Sequence, residues 1–339
     1  MKIKIVSPSG AIDPQYIDRA TEVLRGWGYE VSEAAHARGK VGRFAASDDE
    51  RVADLAEALT DPAVDMILCA RGGYGLQRII DRIPPIQKPI IGFSDITALH
   101  LLAAQTGQAT IHAMMCKGIS ETKGLSPSSC VLHPSSFLQR ALAQEPLHYE
   151  LPAHPLNRVG KTKGTLIGGN LSVLYGLQGT AYGLDERLRI KDKRLNSNDF
   201  KEVRSLGRTQ YKDASDTEVI SPSSCVLHPS SSAILFIEDV GERHYHIDRM
   251  MNNLRLSGVL ANLSGLIVGQ FNDCEDDPSM GCTVYETIRR AVEPYHYPVV
   301  FNFPAGHVEE NMPLYLNAPV EMDVQEDYSS SIHSFFKSS

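Results

Sequence analysis

The sequence lacks most of the features that would sort it at a glance. No run of 18 apolar residues interrupts its 339 positions, so no membrane-spanning helix is expected. No Lys- or Arg-rich run is present either, and 33 basic residues against 41 acidic ones leave a net charge of −8. Nucleic acids and anionic membrane surfaces are bound by clustered cations that displace counterions, so neither is an expected partner. None of the six cysteines (Cys69, Cys116, Cys130, Cys225, Cys274 and Cys282) stands in a CxxC pair, and neither a metal site nor a disulfide framework is expected. The opening MKIKIV has no apolar signal region or cleavage site, which predicts a cytoplasmic protein. What remains is an ordinary globular composition, 42% hydrophobic and 22% charged, long enough for two domains with cores of their own.

Short apolar runs alternate with helical patterns up to about residue 115, the mark of βα units on a parallel sheet. Lys2 to Val6 reads as a strand. Ile17, Ala20, Val23 and Leu24 recur at helical spacing between Pro14 and Arg25, and Gly26 ends the pattern. Ser47 with Glu50 three residues on has the spacing of a capping box for a helix over 48–59. Met66 to Ala70 and Pro89 to Gly92 are further strands, each followed by a glycine-containing turn of the kind where α/β domains place ligands. A second region begins near Gly164, with strands at 164–168, 234–237, 263–269 and 299–301, and helices after Asn170, over 247–256 and over 284–292.

The predicted fold is therefore a two-domain α/β protein. A flavodoxin- or Rossmann-like parallel-sheet domain covers 1–118, a linker 119–163, a C-terminal α/β domain 164–325, and a Ser-rich tail expected to fray covers 326–339. Two segments fit poorly. Ser126 to Ser136 and Ser221 to Ser231 are the same eleven residues, SPSSCVLHPSS, without one change, which reads as a copied insertion. The second copy lies within 187–232, a charged, turn-rich stretch read as a long mobile loop. A clip between Cys130 and Cys225, or between His133 and His228, is the competing view.

Chemistry is suggested first by Gly92-Phe93-Ser94-Asp95, which follows a strand and precedes an apolar helical run. A serine on such a turn is exposed beside the free N–H groups of the helix, as at a nucleophile elbow, although Ile96 stands where the second elbow glycine belongs. Ser94 or Asp95 acting merely as a helix cap is the alternative. Arg71-Gly72-Gly73-Tyr74-Gly75 is a turn whose backbone can approach a ligand and donate N–H groups to an anion. It is neither a Walker A loop nor GxGxxG. Arg71 is a candidate for a substrate carboxylate or a plain surface residue. Glu238, Asp239 and Glu242 gather at a strand end, where a carboxylate can orient a histidine, though each alone reads as a solvated turn residue. His307, after Pro304 and Gly306, is presented by a loop. His244 and His246 alternate as strand-borne ligands would, near Asp248.

Taken together, RGGYG at 71–75, GFSDIT at 92–97, GGNL at 168–171, FIEDVGE at 236–242, YHIDR at 245–249 and PAGH at 304–307 resemble the LD-carboxypeptidase family, serine-peptidase family S66. The stretches occur in the family's order and span most of the chain. The resemblance implies a serine carboxypeptidase with a Ser94, Glu238 and His307 triad and an oxyanion hole from backbone N–H groups at Asp95 and the Gly72-Gly73 turn. Arg71, Tyr74 and Asn170 would be substrate-binding. It implies no metal and no cofactor, a murein tetrapeptide as substrate, release of a terminal D-alanine from an L-centre of a diamino acid, and a homodimer. A branch of the family cleaves peptide-antibiotic conjugates instead. A catalytically silent two-domain binding protein is the reading from a different class.

Overall fold

The computed structural model describes residues 1–122, 134–184 and 233–336. Its first sheet is built from β1 (Lys2–Val6), β2 (Glu30–Glu33), β3 (Met66–Cys69), β4 (Ile90–Gly92) and β5 (Thr110–His112), all parallel, with β11 (Leu314–Leu316) added antiparallel to β5. The order is β11-β5-β4-β3-β1-β2. Chain direction across the sheet therefore reverses between β1 and β3, which opens a crevice beyond their C-terminal ends. β1, β3 and β4 are almost wholly buried, as expected of strands covered on both faces.

Two helices of this half follow the sequence closely. α1 (Pro14–Gly26) starts at an Asp13 cap, with Pro14 at its first position. α2 (Asp48–Thr60) carries the complete capping box, the Ser47 side chain accepting from Glu50 N–H while Glu50 reaches back to Ser47 N–H. α3 (Thr97–Thr106) is buried from Thr97 through Ala103, with no polar face on its first two turns, because it lies between the two halves.

The second sheet has the order β10-β9-β8-β7-β12-β13-β6. β7 (Gly160–Asn170), β8 (Ala233–Val240), β9 (Leu263–Asn272) and β10 (Val299–Val300) are parallel, whereas β12 (Ala318–Val324), β13 (Ser330–Ser334) and β6 (Leu147–Leu151) extend it antiparallel. α6 (Leu171–Gly176), α7 (His244–Leu256) and α8 (Val284–Ala291) accompany it. α4 (Cys116–Glu121) and α5 (Pro134–Leu142) precede β6.

Several sequence expectations are corrected here. Through residue 336 the tail does not fray: Ser330–Ser334 is an interior strand with Ser330, Ile332 and Ser334 buried, and its alternating burial is that of a one-faced antiparallel strand. Residues 119–163 are not a bare linker, since β6 lies within them and pairs along its length with β13. The end of the first copied segment is packed into the fold. Pro134 and Ser135, near the end of the first copy, are buried in the first turn of α5, ahead of the buried Phe137, Leu138, Ala141 and Leu142. The rest of that copy, all of the second, the stretch 187–232, and Cys130, Cys225, His133 and His228 lie outside the described residues. His244 and His246 stand on a helix, not a strand, and face different partners. His244 Nδ1 accepts from Asp277 N–H and its Nε2 meets Thr287 Oγ1, while His246 Nδ1 meets Glu242. No group of side chains suited to a metal occurs among the described residues. No helix among them is long and apolar enough to cross a membrane.

Candidate active site

Ser94 follows β4 on a tight turn and has φ 67°, left-handed backbone that a residue with a Cβ adopts only when its surroundings impose it. The constraint is visible around it. His100 Nε2–H donates to the Gly92 carbonyl at 2.9 Å, one turn along α3, and fixes the strand end. Asp95 is buried, and its Oδ2 accepts from Ser9 Oγ at 2.5 Å and from Leu76 N–H at 3.0 Å. The Asp95 carboxylate thus ties the loops after β1, β3 and β4 into one unit. Arg51, 1% exposed, does the same from below, donating to the carbonyls of Pro8 at 2.6 Å and Gly75 at 3.2 Å.

Gly72 shows why the turn after β3 is glycine. A Cβ there would stand 2.7 Å from the Ser94 Cβ and 3.0 Å from its Oγ, so any larger residue would displace the serine. Gly73, at φ 107°, carries the backbone on past Ser94. Tyr74 is exposed and Arg71 donates to the Ala11 carbonyl at 2.7 Å; neither has a carboxylate partner among the described residues.

The acid and the histidine come from the second sheet. Glu238 lies inside β8 and is fully buried, not on a solvated turn, and Asp239 beside it is only 2% exposed. The pairing of β8 with β9 slips between Ile237 and Asp239, a bulge opposite Glu238 that re-aims the strand. On that bulge hangs the loop carrying His307, with Gln270 N–H donating to the Ala305 carbonyl at 2.9 Å. His307 Nδ1 sits 2.8 Å from Glu238 Oε2. Gly306 makes this approach possible: it has φ 131°, and a Cβ would meet Glu238 Oε2 at 2.9 Å. The His307 ring packs edge-on against Phe93, centroid to centroid 4.9 Å, which places it beside the residue preceding Ser94. Glu238 Oε1 is buried with no partner among the described residues.

Asn170 is placed differently from a substrate ligand. Its side chain caps α6 by accepting from Val173 N–H, and its Nδ2 donates to Asp239 Oδ1 at 2.9 Å. Its backbone N–H donates to Thr97 Oγ1 at 2.9 Å, joining the two sheets directly behind the Ser94 turn. Asp239 also accepts from Ser172 N–H, Ser172 Oγ and Val240 N–H. Burial pushes its carboxyl up to about 6 against these bonds and is aided by the charge of Glu238. With both oxygens engaged by donors, neither orientation of an amide can replace it. Asp239→Asn is expected to lower unfolding free energy by about 1–3 kcal/mol, read from urea denaturation, because an NH2 group then faces N–H donors.

His100 and His112 lie beneath this turn. Burial holds the His100 imidazole down to about 4, and burial, then the neighbouring His100 and His307, holds His112 well below the ordinary range. A histidine kept neutral when folded but free to protonate when unfolded makes stability fall as pH drops through 6.5 toward the folded value. Asp239, raised, acts in the opposite direction over much of that window, so the test is a difference. The stability advantage of the parent over His100→Gln should shrink by about 3 kcal/mol between pH 6.5 and 4. An advantage that stays constant in urea titrations across that range would exclude His100 as its source.

With this geometry in place, comparison with known proteins gives a family. Residues 3–113 match the LD-carboxypeptidase N-terminal domain and residues 218–322 the LD-carboxypeptidase C-terminal domain. The chain belongs to the LD-carboxypeptidase family, and with it to the peptide-bond hydrolases. A Streptomyces coelicolor protein carrying a carboxypeptidase name is 30% identical across 95% of this chain and 90% of its own. The murein tetrapeptide carboxypeptidase of Pseudomonas aeruginosa is 24% identical across 91% of this chain and 89% of its own. The fold is that of the muramoyltetrapeptide carboxypeptidase from Oxalobacter formigenes, with a TM-score of 0.73, 22% identity and 99% of each chain covered. The microcin C7 self-immunity protein MccF shares it at a TM-score of 0.72 and 18% identity, over 99% of this chain and 97% of its own.

The sequence alone did not reveal Ser9, Arg51, Thr97 or His100 as parts of the site. Arg51 reads as one more cation on a helix, and Thr97 as an ordinary helix residue. Only Asp95, already marked as a possible cap, carried a signal, and it pointed to the backbone, not to the carboxylate.

Proposed function

We propose that this LD-carboxypeptidase-family chain is a serine carboxypeptidase that hydrolyses the amide bond between the L-centre of a diamino acid and the terminal D-alanine of a murein tetrapeptide. The observation that carries the reading is the 2.8 Å bond between His307 Nδ1 and the buried Glu238, with the ring edge-on against Phe93 on the turn that bears Ser94. With Nδ1–H committed to Glu238, the neutral imidazole keeps Nε2 as an acceptor. Ser94 Oγ attacks the scissile carbonyl carbon while His307 Nε2 takes the hydroxyl proton, and the carbonyl π electrons move onto oxygen. Backbone N–H groups of the Gly72-Gly73 turn and of Asp95 are the donors for that oxyanion. Collapse breaks the C–N bond, and the imidazolium returns its proton to the departing amine of D-alanine. Water, deprotonated by the same histidine, then hydrolyses the acyl-serine.

Glu238 acts throughout by orienting the ring and stabilising the imidazolium. Its second oxygen has no partner among the described residues, so there the carboxylate's charge is undivided among other donors. Work in the cytoplasm and pairing into a homodimer belong to the same reading, supported by family membership alone. The deciding experiment incubates the protein with purified murein tetrapeptide and follows the mass of the peptide. Loss of one alanine residue supports the reading. An unchanged peptide, with Ser94 also unlabelled by a fluorophosphonate, overturns it.

A further inference from the structure

The reversal of chain direction between β1 and β3 is where a doubly wound sheet offers a ready crevice, and here the crevice is a cavity of about 600 Å³. Its walls are the loop after β1, the segment 38–43, and Arg71, Gly73 and Tyr74 of the turn after β3, the turn whose Gly72 lies against Ser94. Four cations line it, Arg38, Lys40, Arg43 and Arg71, against one carboxylate, Asp13. Arg38 is neutralised by Glu33 and Asp18, and Asp13 is engaged in capping α1 and holding Gln15. Lys40, Arg43 and Arg71 have no carboxylate partner among the described residues. Three uncompensated cations in one recess, on a chain whose net charge is −8, reverse the local sign of the field where a ligand would enter.

The recess is built, not a chance gathering of mobile side chains. Ala11 N–H donates to the Arg43 carbonyl at 3.0 Å and Ala45 N–H to the Ser9 carbonyl at 3.2 Å, so the segment bearing Arg43 is pinned to the loop after β1. Gly10 N–H donates to the Gly72 carbonyl at 3.0 Å, which pins the same loop to the turn beside Ser94. The Arg43 guanidinium lies over the Tyr74 ring at 5.5 Å, a stacking that orients it without consuming its donors. Arg71 is held by the Ala11 carbonyl through one nitrogen only.

We propose that Lys40, Arg43 and Arg71 form an anion subsite that selects peptides bearing carboxylates besides the terminal one, with Lys40 and Arg43 receiving a carboxylate remote from the scissile bond. The proposal rests on the peptidase reading for its ligand but not for its logic. A cavity of this volume exceeds the needs of one small terminal residue, and cations on two separate segments call for anionic groups spaced along a ligand.

The test measures binding and turnover separately. The catalytically disabled Ser94→Ala protein is titrated calorimetrically with murein tetrapeptide and with analogues in which each non-terminal carboxylate is converted in turn to a carboxamide. The expected result is a loss of about 10- to 100-fold in affinity on one amidation, with a matching loss for Lys40→Gln/Arg43→Gln on the free acid. In that variant amidation should have little further effect. Lys161→Gln/Lys163→Gln, on the second sheet, removes as much charge elsewhere and should leave the ratio intact. An amidation ratio near one in the parent, or an unchanged ratio in Lys40→Gln/Arg43→Gln, overturns the subsite. Alanine release by the parent with an unchanged ratio keeps the activity and removes the subsite. A collapsing ratio without alanine release keeps the subsite and removes the activity.

Discussion

Replacing Ser94 with alanine is expected to reduce kcat by about 10⁴- to 10⁶-fold while the protein stays folded. The size follows from the division of labour around the turn. Without Oγ there is no acyl-serine route, and what remains is water attack assisted by oriented N–H groups. The fold should tolerate the change, since the left-handed backbone of residue 94 is held by Asp95, His100 and the close approach of Gly72 and not by the hydroxyl. Steady-state release of alanine from the tetrapeptide, beside a thermal unfolding curve, checks both halves. Turnover above a tenth of the parent's, in folded protein, would remove Ser94 from the mechanism.

Glu238→Gln is expected to lower kcat by about 10³- to 10⁴-fold with little change in KM. An amide oxygen can accept from His307 Nδ1–H, but it cannot stabilise the imidazolium formed when Ser94 is deprotonated. An amide turned the other way presents N–H to Nδ1 and forces the wrong tautomer. The fold should not weaken, because a buried carboxylate whose second oxygen has no partner among the described residues becomes neutral. Asp239→Asn should show the reverse pattern, with stability lost and kcat much less affected. If the neighbouring substitutions exchanged their signatures, the acid would be Asp239.

The contrast between these two adjacent carboxylates illustrates which parts of the molecule could be read from the chain. Both lie on β8, and nothing in FIEDVGE separates a residue facing a histidine 69 positions away from one gripping Asn170 and Ser172. Family resemblance assigned the first; composition and spacing could not. Local features were legible because their causes are local. The Ser47 capping box, the Asp13-Pro14 start of α1 and the buried strands β3 and β4 need only a few neighbours to form. Arg51 and Thr97 act on loops far off in sequence, so the chain offers no short-range pattern for them. The tail was misread for a different reason. Serines at 330 and 334 look like a fraying end, yet they occupy the inward face of a strand whose other inward residue is Ile332. Small hydroxyl residues are tolerated there because neighbours on both sides fix the backbone through ladder bonds.

The interior position of β13 also determines when the enzyme becomes whole during synthesis. A nascent chain emerges from its first residue onward, and the strand over 330–334 fills a slot between β12 and β6. Until it leaves the ribosome, β6 has no partner in the sheet and β12 has one unpaired edge. The first sheet likewise waits for Leu314–Leu316 to cover the open side of β5. Neither half can seal its sheet early, although the segments carrying Ser94 and Glu238 are made long before. Assembly of the proposed hydrolytic centre is thereby coupled to synthesis of residues 314–334, and the nascent protein spends the interval before it with exposed strand edges that chaperones, or other nascent copies, can bind.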